Sequence, residues 1–225
     1  MQNNINWHRH DSAEQVATAA CAQILAAADL AIADHGFFKL VLAGGSTPEK
    51  VYQLLAQSAA DWSKWQIYYG DERCLPAEHT DRNSIMATRA LLGQVSIPPE
   101  QIFTIAAELG PEAAAEHYRA IVAKALPFDM VLLGMGEDGH TASLFPGHQH
   151  QDELTHAVYN SPKPPPERVS ISAKALSDTQ CLIFLITGKG KQDAMRAWLK
   201  GEDLPVASIT PDQLEVYIDN DAYPT

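Results

Sequence analysis

Four short apolar runs in this chain end the same way. FFKLVLAGG, WQIYYG, FDMVLLG and CLIFLITG each run into glycine and then into charged or hydroxyl residues. Runs that are apolar throughout suit strands covered on both faces, as in a parallel sheet. Helical patterns lie between them. Residues 12–33 set Val16, Ala20, Ile24, Ala27 and Ala31 at helical spacing, with Asp11 or Ser12 as N-cap. STPEKVYQLLAQS opens on cap residues with a proline in its first turn, and Val51, Tyr52, Leu54 and Leu55 form its apolar face. SIMATRALLG, PEAAAEHYRAIVAKAL (with Ala114, Tyr118, Ile121, Val122 and Ala125 on one face) and GKQDAMRAWLKG are further helices. QIFTIA, THAVYN and ERVSIS are predicted strands, and DERCLPAEHTDRNS a loop. PVASI and EVYID are short closing segments with a helical turn at TPDQL between them. Strands alternating with helices predict an α/β fold with a mostly parallel central sheet. No linker or repeat divides the chain, so residues 1–225 are expected to form one domain.

The formal net charge of −12 disfavours non-specific binding to nucleic acid or an anionic membrane. An anionic ligand would need a local cluster of cations or N–H groups. Cys21, Cys74 and Cys181 are odd in number and show no C-x-x-C spacing, which suggests neither a zinc site nor a disulfide framework. The polar start MQNNINWHRHDSAEQ lacks the apolar core of a signal peptide, and the apolar runs look too short to span a bilayer. A soluble, cytoplasmic setting is the expectation, as a monomer or small homo-oligomer.

In open parallel sheets ligands bind beyond the carboxyl ends of the strands, so the residues after each run matter most. Gly44-Gly45-Ser46-Thr47 follow the first. Two glycines allow close backbone approach, and the helix start after them offers N–H groups to a phosphate. A plain strand-to-helix turn with a Ser N-cap explains the same residues. Asp71, Glu72 and Arg73 follow the second run; Gly188, Lys189 and Lys191 follow the fourth. Two lysines at a helix start ask for an anionic partner. Arg168 reads as a surface arginine. After the third run comes GMGEDGHTASLFPG, where Asp138 stands two residues from His140 on a glycine-rich turn. Histidine suits general-base work near neutral pH, and a nearby carboxylate can orient it. An Asp-Gly turn with a capping His is the bland explanation. No G-x-S-x-G elbow occurs, so Ser143 and Cys74 are weak candidates as nucleophiles. His148 and His150 form H-Q-H without an evident third metal ligand.

LAGGSTPEKVYQLL, YYGDERCLPAEHTDRNS, FDMVLLGMGEDGHTASLFPG, ERVSIS and ITGKGK together resemble the 6-phosphogluconolactonase family, in order and over nearly the whole chain. The related glucosamine-6-phosphate deaminases carry an Asp-Glu-Tyr type motif where this chain has Asp71-Glu72-Arg73, and a different sequence after Asp-Gly-His. Both departures favour the lactonase. The resemblance implies a Rossmann-like three-layer α/β/α sandwich, no cofactor and no metal. It implies hydrolysis of 6-phospho-D-glucono-1,5-lactone to 6-phosphogluconate in the oxidative pentose phosphate route. By the same resemblance His140 would be the general base and Asp138 its partner, with Arg73 near the lactone. Gly45, Ser46, Arg168 and Lys191 would hold the phosphate, and Asp71 and Asn83 would lie on the sugar side. Two other readings stand beside it: a glucosamine-6-phosphate deaminase/isomerase with Asp71 as base, and a non-catalytic phosphosugar sensor.

Overall fold

The computed structural model describes residues 5–148 and 153–224. Among the described residues nine strands form two sheets. The six-stranded sheet contains β1 (Ile5–His10), β2 (Phe38–Leu42), β3 (Trp65–Tyr69), β5 (Phe128–Gly134), β8 (Thr179–Ile186) and β9 (Leu214–Asp219), in the order β1-β9-β8-β5-β2-β3 with every pair parallel. The three-stranded sheet is antiparallel: β4 (Asp71–Arg73), β7 (Arg168–Ile171) and β6 (Thr155–Val158). A single residue, Gly70, separates β3 from β4, so the chain passes straight from one sheet into the other.

Helices cover both faces of the larger sheet. On one face α1 (Ala13–His35) packs beside α2 (Ser46–Ala56). Cys181 of β8 turns toward α1, and the neighbouring Phe184 turns to the other face, where it meets Trp198 of α6 (Gln192–Leu199). Both faces being apolar, β8 and β9 are buried along nearly their whole length. The shorter helices are α3 (Asn83–Ala87) and α5 (Ala173–Ser177), while α4 (Pro111–Ala125) lies against β6 and β7. Buried tyrosines tie strand ends in place. The Tyr52 hydroxyl of α2 accepts from the amide of Ala43 at 2.9 Å and donates to its carbonyl at 2.8 Å, fixing the exit of β2. The Tyr118 hydroxyl of α4 accepts from the amide of Tyr69 at 2.8 Å and does the same for β3. Burial pushes both phenols far above their ordinary pKa, so they remain neutral donors and acceptors.

The strand order places β3 on one side of β2, and the chain returns on the other side with β5. This reversal opens a crevice beyond the carboxyl ends of β2 and β5, where an open sheet binds ligand.

Several expectations are corrected. QIFTIA makes only an isolated bridge, Ile67 to Ile102, along the free edge of β3. Asp71–Arg73 are not loop but β4, and PVASI is a 3₁₀ turn at Pro205–Ser208, while TPDQL forms no helix. The polar stretch INWHRH is the edge strand β1. In α1 the buried face is Val16, Ala17, Ala20, Cys21, Ile24 and Ala28, with Ala27 and Ala31 only half-covered. That helix is also longer than the apolar runs suggest. An 18-residue window within its 23 residues reaches a mean hydropathy of 1.8, enough by length and composition to cross a bilayer. Alanine and aliphatic residues together supply that value, and here one stripe of the helix lies against the sheet.

Candidate active site

The crevice is a cavity of about 360 Å³, within the range of small-molecule sites. Its walls come from four strand exits. Gly44 and Gly45 follow β2; Asp71 and Arg73 form β4; Gly136, Glu137 and His140 follow β5; Lys191 follows β8. Asn83 of α3, Arg168 of β7 and Lys163 complete it. The sequence-predicted residues thus converge, apart from three that do not line the cavity: Ser46, Thr47 and Asp138.

Asp138 acts through its neighbour. Its Oδ1 accepts from Nδ1 of His140 at 2.5 Å and from the His140 amide at 3.2 Å. Nδ1 therefore carries the hydrogen, and Nε2 keeps its lone pair for the cavity. Burial pushes the Asp138 carboxyl up, but the His140 hydrogen bonds and charge more than offset this and hold it below the ordinary carboxylate range. Phe145 supports the imidazole, ring centroids 4.7 Å apart. The turn closes through the amide of Gly136, which donates to the carbonyl of His140 at 2.7 Å. Any side chain on Gly136 would collide with the ring, since a Cβ there would lie 2.1 Å from Cε1 and Nδ1. The glycine is required by the close approach of histidine.

Asp71, Asn83 and Ser143 form a second unit. The Asn83 amide donates to Asp71 Oδ1 at 3.0 Å, and the Ser143 hydroxyl donates to Asp71 Oδ2 at 2.6 Å. Ser143 is fully buried and committed to this carboxylate, so it is an anchor and not a nucleophile. Sequence reasoning passed over Glu72. It is buried, and it accepts from the amides of Asn83 at 2.7 Å and Ser84 at 2.9 Å, capping α3. It also accepts from the amide of Arg73 at 2.9 Å and faces Arg82 Nε at 3.5 Å. Glu72 thereby fixes both Asn83 and Arg73. Arg73 donates from Nη1 to the carbonyl of Asp81.

The anion side differs in detail from expectation. Gly45, at φ 111°, is the N-cap of α2, and Ser46 is its first residue rather than the cap. The Thr47 hydroxyl is tied to that of Thr187 at 2.6 Å, joining the two turns after β2 and β8. Gly44 is pressed against Asn83, where a Cβ would lie 2.1 Å from Oδ1. Lys191 lines the cavity and Lys189 does not. Burial first, and nearby Lys163 in addition, depress the Lys191 pKa, while Glu137 and Asp138 counter them. Arg168 is no surface residue: it is buried, at 4% exposure, with its guanidinium 3.9 Å from Asp71. Burial depresses its pKa and Asp71 opposes the shift. The sequence signal for Lys163 was only its place beside three prolines.

Cys74 lies at the edge of this region, and burial pushes its thiol up to about 11, so little thiolate is available. Among the described residues no group of three or more His, Cys, Asp or Glu side chains could hold a metal. His148 packs against Phe145 at 5.7 Å, and His150 lies outside the described residues. A larger cleft of about 820 Å³ sits at the amino ends of β2, β5 and β8, under α1, with Leu30 and Phe37 in its wall. Its lysine, Lys39, is spent on the carbonyls of Ala125 and Pro127.

A three-layer α/β/α sandwich with its cleft at the strand reversal, a His–Asp pair on one side and lysines on the other, defines a class of α/β proteins built to hold small anionic ligands. Within that class the chain belongs to the glucosamine-6-phosphate isomerases/6-phosphogluconolactonase family, whose model matches residues 11–218. It is 34% identical over 218 residues to the 6-phosphogluconolactonase of Rattus norvegicus, covering 89% of this chain and 85% of the relative. A probable chloroplastic 6-phosphogluconolactonase of Oryza sativa is 33% identical over 84% of this chain, which spans only 64% of that relative's length. The crystal structure of 6-phosphogluconolactonase from Thermotoga maritima matches with a TM-score of 0.89 at 27% identity, covering 96% of this chain and 99% of the other. A monomeric glucosamine-6-phosphate deaminase at 21% identity shares the fold, with a TM-score of 0.85 over 96% of this chain and 98% of the other.

Proposed function

We propose that the 225 residues act as one lactonase domain that hydrolyses 6-phospho-D-glucono-1,5-lactone to 6-phosphogluconate. The observation that carries this reading is the placement of His140, held by Asp138, in the same cavity as Lys191, Lys163 and the Gly44–Gly45 turn. The named relatives above support the choice of substrate.

A lactone is an activated ester and needs a deprotonated water on one face and stabilisation of the oxyanion. Nε2 of His140 takes a proton from water as the oxygen bonds to the lactone carbonyl carbon. Asp138 holds the imidazole in the right tautomer and stabilises it while protonated. Arg73 faces the developing oxyanion. When the ring C–O bond breaks, His140 returns the proton to the departing ring oxygen, and the product acid ionises to solvent. The phosphate is held remotely by Gly44, Gly45 and Lys191 at the cavity wall, with Ser46 at the start of α2 beyond it and Arg168 behind them, so that its binding orients the ring. Asp71 and Asn83 face the sugar hydroxyls. Both oxygens of Asp71 already accept hydrogen bonds, a geometry suited to orienting a sugar more than to moving a proton between carbons. The setting is the cytoplasm; three unpaired cysteines, two of them buried, suit a reducing compartment.

The test generates the lactone in situ from glucose 6-phosphate and its dehydrogenase and follows 6-phosphogluconate formation above the spontaneous rate. Wild type accelerates it, and His140→Ala loses about 10²–10⁴-fold in kcat with a smaller change in KM. Equal acceleration by both proteins removes His140 from the mechanism. Ammonia release from glucosamine 6-phosphate by wild type would replace the whole reading with the deaminase.

A further inference from the structure

Hydrolysis leaves one acidic side chain of the cavity without a role. Glu137 stands between Gly136 and Asp138, and its carboxylate bridges two other loops. Its Oε1 lies over Gly190, where a Cβ would be only 2.9 Å away. Its Oε2 lies 3.8 Å from Nζ of Lys163. Glu137 and Lys163 also both act on the charge of Lys191, in opposite directions. One carboxylate and two ammonium groups therefore share one corner of the cavity.

Lys163 is held there deliberately. It sits in the proline loop between β6 and β7, and Arg168 at the start of β7 spends its donors on that loop. Nη2 donates to the carbonyls of Lys163 at 3.1 Å and Pro164 at 2.9 Å, and Nε to that of Pro165 at 3.2 Å. The Lys163 amide donates to Ser161 Oγ at 3.2 Å, and the Ser161 hydroxyl donates to the Lys163 carbonyl at 2.8 Å. A buried arginine so engaged is a positioning residue for the loop, and Lys163 is the cation the loop delivers.

We propose that Glu137 is an internal counter-ion that fills the anion site at rest, and that the substrate's phosphate displaces it from Lys163 and Lys191. The proposal rests on the phosphate reading given above. The Glu137 side chain is 64% exposed and that of Lys163 47%, so their pairing is solvated and readily exchanged. A phosphate monoester brings nearly two charges and three acceptor oxygens against a single carboxylate. The exchange therefore favours a dianion and leaves weaker anions outcompeted. Glu137 becomes a determinant of selectivity for phosphorylated over unphosphorylated lactones.

Glu137→Gln and Lys163→Ala test this through the Ki of inorganic phosphate as competitive inhibitor and the KM of phosphorylated and unphosphorylated lactone. Glu137→Gln should lower the phosphate Ki and the phosphorylated-lactone KM about two- to fivefold at low ionic strength, the size of an exposed charge interaction. The shift should be larger for phosphorylated than for unphosphorylated lactone, larger in KM than in kcat, and compressed by added salt. Lys163→Ala should move Ki and KM the other way. A phosphate Ki that is unchanged or raised in Glu137→Gln overturns the counter-ion. Calorimetric titration with inorganic phosphate needs no turnover and separates the two readings. Tighter phosphate in Glu137→Gln without lactone hydrolysis keeps the counter-ion and discards the lactonase. Lactone hydrolysis with unaltered phosphate binding does the reverse.

Discussion

Replacing Gly136 by alanine adds one methyl group and should remove most of the catalytic rate. The added Cβ would lie 2.1 Å from Cε1 and Nδ1 of His140 and 2.7 Å from Asp138 Oδ1, whereas ordinary contact begins at 3.4 Å. The imidazole therefore has to retreat by about 1.3 Å or swing out of the turn, against the steep repulsion of overlapping atoms. A displacement of ~1 Å in a reacting group can cost ~10²-fold, and full loss of a general base up to ~10⁴-fold. Gly136 is not one of the glycines with positive φ, so alanine can adopt its backbone without strain. The ring has room to leave, its side chain being 19% exposed, so the fold should survive. The expected result is a kcat lower by ~10²–10⁴-fold, a KM changed less than about threefold, and an unfolding midpoint within a few degrees of wild type. The coupled lactone assay measures the first two and circular dichroism the third. In a His140→Ala background the same change should add almost nothing, because both act on one unit. A Gly136→Ala protein with kcat within about threefold of wild type would refute the assignment of the turn as a mount for the base.

Asp138→Asn keeps the shape but loses the charge that sets the tautomer, and kcat should fall by ~10²–10⁴-fold. Because the folded carboxyl lies below its ordinary value of 3.8, the pair stabilises the protein above that pH and the contribution is lost as pH falls through the folded value. The Tm difference between wild type and Asp138→Asn should then shrink between about pH 4 and pH 2, as thermal melts would record. Glu72→Ala leaves the α3 amides uncapped and Arg82 beside an empty space; breaking such a buried pair costs about 3–5 kcal/mol, or a Tm fall of roughly 6–20 °C. A melt within about 2 °C of wild type would show that Glu72 is dispensable. Lys191→Ala should raise KM several-fold more than it lowers kcat, and an unchanged KM would remove Lys191 from the phosphate site.

The parallel sheet was legible because its strands are apolar on both faces and end in glycines: β2, β3, β5 and β8 fall where their runs do. The His140–Asp138 unit was legible because both members lie in one turn, three residues long. What escaped depends on contacts between distant segments. INWHRH alternates weakly and becomes β1 only through pairing with β9, more than two hundred residues away. β4 exists only because ERVSIS supplies an antiparallel partner. Arg168 looked like a surface residue after a proline run, and nothing local could reveal that the same run folds back over its guanidinium. Ser143 looked like a candidate nucleophile until Asp71, far off in sequence, claimed its hydroxyl.

Gly70 is the only residue between the strand that ends one sheet and the strand that begins the other. Asp71 and Arg73 on β4 and the Gly44–Gly45 turn after β2 line one cavity from the two sheets, so this junction sets the distance between the walls they form. Under the lactonase proposal the site measures its ligand by this span. For the hydrolysis proposed above, in which solvent is itself the second reactant, an open vestibule is a supply line.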